Sequence, residues 1–144
     1  MSTPTSQDAD VAAEAWGLFN QLMLSRKGHM LQTAAEFELS PAQMWALRHL
    51  EPGAPLPMSA LAGLLHCDNS NVTGIVDRLE SRGLVERRAA EHDRRVKHLV
   101  VTAAGAELRA RVGARLHEPP PGFERLTADE QRRLTVLLRK LLGE

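Results

Sequence analysis

From residue 69 to residue 82 the apolar side chains fall at Val72, Ile75, Val76 and Leu79, the i, i+3, i+4, i+7 spacing of a helix buried along one narrow face. The pattern predicts a helix over 69–82, with Asp68 as N-cap and Gly83 as the residue that ends it. A shorter helix precedes it, opening at Ser59 and turning Leu61, Leu64 and Leu65 inward; only His66 and Cys67 separate the two. After Gly83 the period changes. Residues 84–88 and 96–101 are rich in β-branched side chains and flank a polar stretch, which reads as two strands joined by a loop.

Around this centre lie further helices. Ser40, Pro41 and Gln43 form a helix start with a reciprocal cap, opening a helix over 41–50 that is expected to bury Met44, Leu47 and Trp45. The Pro- and Gly-rich residues 52–57 then break the chain. Residues 1–10 are polar and read as disordered, after which Val11, Ala15, Leu18, Leu22, Met30 and Ala34 trace a long helix over 11–37. Thr102 caps a helix carrying Gly105, Leu108, Val112 and Leu116, which Pro119, Pro120 and Pro121 stop. Thr127 with Glu130 opens a last helix with Leu134, Leu137, Leu138, Leu141 and Leu142 on one side.

The order predicts a mainly α protein with a β-hairpin wing: a winged helix-turn-helix over 40–102, flanked by helical segments at 11–37 and 103–144. The flanking stripes are too far from the central unit in sequence to be buried in one small core. They need each other or a second subunit, and symmetric pairing is the commonest solution, so both are expected to be dimerisation helices.

Composition narrows the chemistry. The 144 residues fit one domain, and 3% aromatic content with no Tyr favours helices over a β-sandwich. Formal net charge is zero, yet residues 78–98 carry seven Lys and Arg against four Asp and Glu. The single cysteine excludes an intrachain disulfide, and no apolar stretch is long enough for a membrane span; a soluble cytoplasmic protein without a membrane partner is expected. There is no glycine-rich phosphate loop and no metal-ligand spacing. His66, Cys67 and Asp68 are neighbours in sequence, which does not make a triad, so neither an enzyme nor a cofactor or metal site is expected.

On the 69–82 helix the face opposite the apolar stripe carries Ser70, Gly74, Asp77 and Ser81, flanked by Asn71, Thr73 and Arg78. Small and hydrogen-bonding side chains there suit a recognition helix laid in the major groove of double-stranded DNA, with Ser70, Asn71 and Thr73 in the turns nearest the bases. A mid-helix glycine costs about 1 kcal/mol relative to alanine, so Gly74 is either a close approach to DNA or an exposed glycine that is tolerated. Asp77 would repel phosphate; an ion pair with Arg78 or with a wing arginine is its expected role. Arg94, Arg95 and Lys97 sit on the wing, where the negative potential of the minor groove draws arginine.

The run from Asn69 through Asp77, Arg78, Leu79 and Glu80 to Gly83, Leu84 and Val85, then Asp93, Arg94, Arg95, and Leu99 with Thr102 and Gly105, resembles the MarR family of bacterial regulators. The resemblance implies a homodimeric repressor on a palindromic operator, with Arg95 in the minor groove and Asp93 bracing it. Gly74 stands where many relatives carry Arg. It also implies release by a small aromatic or phenolic effector held between the dimerisation helices and the winged unit, with Trp16, Phe19, His29, Phe37, Met44, Trp45 and His49 as candidate lining residues. Two rivals remain: thiol-based redox sensing through Cys67, and a winged-helix interaction module without specific DNA binding.

Overall fold

The computed structural model describes residues 5–144. Six α-helices, α1 (Ser6–Glu36), α2 (Pro41–His49), α3 (Met58–Leu65), α4 (Asn69–Ser81), α5 (Ala103–Leu116) and α6 (Ala128–Leu142), accompany three strands, β1 (Leu56–Pro57), β2 (Val85–Ala89) and β3 (Lys97–Val101). This is a winged helix-turn-helix: α3 and α4 are the helix pair, and β2 and β3 the wing. Among the described residues no helix is long and apolar enough to cross a membrane.

Local capping sets most helix starts. Ser40 accepts from the Gln43 amide while Gln43 accepts from the Ser40 amide, both at 3.1 Å, and Thr127 and Glu130 repeat the arrangement. Thr102 and Asp68 each cap through one side-chain oxygen. The expected disorder over 1–10 does not hold for residues 6–10, because Thr5 and Asp8 form a reciprocal cap that starts α1 at Ser6; residues 1–4 lie outside those described. Helix α3 starts one residue before Ser59, after Pro57 and without a side-chain cap, so Ser59 is not the N-cap.

Residues 52–57 do more than break the chain. Leu56 pairs with Leu99 and Pro57 with His98, so β1 joins the hairpin as a third antiparallel strand in the order β1, β3, β2. The core packs Met44, Leu47 and Leu50 of the α2 region against Leu61, Val72, Val76 and Leu79, with Val85 and Leu99 from the sheet and Val112 from α5. Trp45, expected inside, is 39% exposed; the inward positions are taken by Met44, Ala46, Leu47 and the capping Gln43.

Helix α5 is held against α1 by its own C-terminal carbonyls. Arg26 donates to the Leu116 carbonyl at 2.6 Å and to that of Glu118 at 3.2 Å, and His29 Nε2 lies 3.1 Å from the Arg115 carbonyl. Arg115 also pairs with Glu36 at 3.0 Å and with Glu118, and its bond to Glu36 holds that carboxyl below the usual range. By contrast α6 buries none of its residues, and Val136, Leu137, Leu141 and Leu142 lie open. The first two thirds of α1 are similar, with Val11, Trp16, Leu18 and Leu24 exposed.

Candidate nucleic-acid interface

Helix α4 buries Val72, Val76 and Leu79 and exposes Ser70, Asn71, Thr73, Gly74, Asp77, Arg78 and Ser81, the division its spacing predicts. Its start is fixed by Asp68, which accepts from the Asn71 amide at 2.9 Å and the Ser70 hydroxyl at 2.8 Å; these bonds hold the Asp68 carboxyl below the ordinary aspartate range. Ser70 and the Asn71 amide are thereby engaged in the cap, while the Asn71 side chain is exposed. His66, in the left-handed region at φ 51°, turns the chain from α3 into α4.

The partner of Asp77 is Arg87 on β2, not Arg78. Arg87 Nη2 reaches Asp77 at 2.5 Å, Nη1 reaches Glu80 at 2.8 Å, and the Arg87 amide donates to Glu80 at 3.0 Å. One arginine therefore engages both carboxylates on the wing side of α4, offsetting one of their two charges, and fixes the wing to the helix. Arg87 is one of the wing arginines offered by the sequence as a partner for Asp77, while its second contact, to Glu80, was not foreseen; an acidic pair at i, i+3 facing an arginine in the next strand was the available signal. Arg78 has no ion pair or side-chain hydrogen bond among the described residues.

The wing tip is open. Asp93 accepts from the Arg95 amide at 3.0 Å, with Arg95 Nε at 3.7 Å, and the Arg95 side chain is 94% exposed. Asp93 thus shapes the turn and leaves the guanidinium projecting. Arg94 and Lys97 are exposed as well. Lys97 and Thr73 line one cleft of about 340 Å³ between wing and α4, with Ser59 and Val96 on its walls.

Glycines set the joint between wing and helices. Gly83 ends α4 at φ +72°. A Cβ on Gly105 would lie 2.0 Å from the Leu84 carbonyl oxygen, so α5 passes too close to the start of the wing for any side chain there. Thr102 closes the same joint, its hydroxyl donating to the Gly83 carbonyl at 2.6 Å. Gly74 is different: nothing lies within 4 Å of where its Cβ would be.

The residues expected to line one effector cavity are dispersed. Trp45 and His49 share an apolar cleft of about 330 Å³ with Leu64, Leu65, Cys67 and Ile75, the last on α4 itself. His29 borders a separate cleft with Pro119, Pro120 and Pro121. Phe37 packs on the core beneath Arg111, 5.2 Å from its ring centroid, and Met44 is buried in that core. Trp16 stacks on Phe19 at 5.8 Å on the open part of α1. Sequence spacing placed these residues near the junction but could not assign them to one face.

A recognition helix with a polar outer face, braced to a basic wing, defines a DNA-binding regulator of the winged-helix class. The MarR family model matches residues 39–97. The chain is 36% identical over 86 residues to the transcriptional repressor MprA of Escherichia coli K12, an alignment covering 59% of this chain and 49% of that protein, so it spans about half of that relative's length. It is 31% identical over 103 residues to the HTH-type transcriptional regulator FarR of Neisseria gonorrhoeae, covering 71% and 68% of the two chains. The crystal structure of the multiple antibiotic-resistance repressor MarR from Listeria monocytogenes superposes with a TM-score of 0.80 at 23% identity, covering 94% of this chain and 95% of that one. The chain belongs to the MarR family of transcriptional regulators.

Proposed function

We propose that this protein is a repressor that binds a palindromic operator as a homodimer and lets go when a small aromatic or phenolic effector binds. The observation that carries the DNA reading is the Arg87 brace. It ties up the two carboxylates of α4 and leaves Gly74 and Arg78 on the helix, with Arg94, Arg95 and Lys97 on the wing, exposed where a polyanion would lie. Ser70 and Asn71 enter the groove with the helix start; Asp93 braces the wing turn from which Arg95 enters the minor groove.

Dimerisation through α1 and α6 is supported by the apolar residues both helices leave open; two-fold symmetry would then set the recognition helices about 34 Å apart, one DNA turn. For the effector, the Trp45 and His49 cleft is the favoured seat, because Ile75 carries any change in its occupancy directly to α4. Cys67 on the same wall makes oxidation the competing control. The protein is a cytoplasmic, non-enzymatic regulator in this reading.

Titration of Arg95→Ala against a selected operator duplex at fixed salt tests it: binding should weaken by about 1–3 kcal/mol with folding intact. A wild-type chain that binds duplexes without sequence preference or a steep salt dependence would instead be an interaction module.

A further inference from the structure

We propose that Arg78 reads a guanine edge in the major groove and that Gly74 is the clearance that lets it do so, an inference resting on the DNA-binding function proposed above. Helical side chains lean toward the N-terminus of their helix, so a residue covers the surface about one turn before its own Cα. For Arg78 that surface is Gly74, four residues earlier. Nothing around Gly74 requires a glycine: its Cβ position is empty to 4 Å, and it is absent from the residues with positive φ. A mid-helix glycine weakens the helix. Its structural effect here is an open shelf on the outer face between Ser70 and Arg78.

On α4 itself the cation one turn beyond the shelf is Arg78. Asp77 and Glu80, the carboxylates nearest Arg78 on α4, are held by Arg87 at 2.5 and 2.8 Å, so neither competes for the Arg78 guanidinium. That guanidinium has no partner among the described residues. A helical turn rises about 5.4 Å, within the reach of an extended arginine. Laid over Gly74, Arg78 carries its planar fork about one turn toward the helix start, the end of a recognition helix that meets base edges. Guanine O6 and N7 match that fork in two parallel hydrogen bonds. A guanidinium bound for phosphate would swing outward from the flank and would gain nothing from the empty shelf.

The test uses the full chain and duplexes that the wild type selects from a randomised library. Relative affinities for every single-base substitution are measured at fixed salt for wild type, Arg78→Ala, Arg78→Lys and Gly74→Leu. The wild type should prefer G·C at one symmetric position by about tenfold or more. Both Arg78 variants should lose that preference and keep the others. Gly74→Leu should lose it too while its melting temperature rises, because leucine is the better helix former; a purely structural role would not move stability and specificity in opposite directions. A uniform loss across all duplexes with a salt slope lowered by about one makes Arg78 a phosphate contact and overturns the proposal. A wild-type base profile in Gly74→Leu, or loss of all binding there while Arg78→Ala still discriminates, overturns it as well. If the wild type selects no sequence from the library, the DNA-reading function itself falls, an outcome distinct from variants failing on an operator the wild type binds.

Discussion

Arg82, at the C-terminal end of the recognition helix, donates to the carbonyls of Glu38 at 2.8 Å and Phe37 at 3.2 Å, the residues that close α1. Glu38 lies in the left-handed region at φ 55°, where α1 turns toward α2, so its carbonyl faces outward and needs a partner. The end of α4 is thereby tied to the end of the longest helix. Arg82→Ala should lower stability by about 1 kcal/mol, seen in urea unfolding as a lower midpoint at unchanged slope. A changed slope would mean that α4 had come loose in the native state.

Gly105 makes a sharper prediction. Any Cβ there meets the Leu84 carbonyl oxygen at 2.0 Å, and that oxygen also accepts from the Thr102 amide at 3.1 Å. Gly105→Ala should therefore destabilise the fold by about 2 kcal/mol or more. Gly74→Ala, on an open surface, should stabilise by up to about 1 kcal/mol. Thermal unfolding of the two variants side by side checks the opposite signs.

The cap of α4 predicts a pH dependence. The Asp68 carboxyl is held below its ordinary range by the Asn71 amide and then by the Ser70 hydroxyl, so its folded pKa lies under its unfolded one. Its contribution is present above the ordinary aspartate range and is lost as pH falls through the folded value. Asp68→Asn should keep a cap and flatten that part of the acid limb in a stability-against-pH series. An acid limb identical to wild type would show that other carboxylates dominate.

For assembly, Val136→Glu combined with Leu141→Glu puts charge on side chains that are 64% and 80% exposed in the single chain. Sedimentation equilibrium should report a monomer, with operator binding weakened because half-sites no longer act together. A dimer that survives both substitutions would take α6 out of the interface.

The parts of the fold that were legible in the sequence are those decided within a few residues. Ser40 with Gln43, Thr127 with Glu130, Thr102, Asp68 and Gly83 act on backbone groups no more than five positions away, and each marks its helix end as expected. The outer face of α4 was legible for the same reason, since one helix period orders it. Pairings across elements were not. The sequence left open which arginine would hold Asp77, until Arg87 on β2 took it; β1 needed β3, and the α5 carbonyls needed Arg26 from α1. Trp45 shows the limit of periodicity: at the edge of an apolar stripe, one helical position separates core from cleft wall.

The third strand of the wing sheet has a consequence for behaviour in solution. An exposed sheet edge is a template on which another chain can add a strand and start aggregation. Here the edge beyond β3 is only Leu56–Pro57, and Pro57 has no N–H to offer a newcomer. The opposite edge, β2, carries Glu86, Arg87 and Arg88 in succession, where charge discourages a flat, apolar partner. The wing can project toward its target without inviting copies of itself to stack along the sheet.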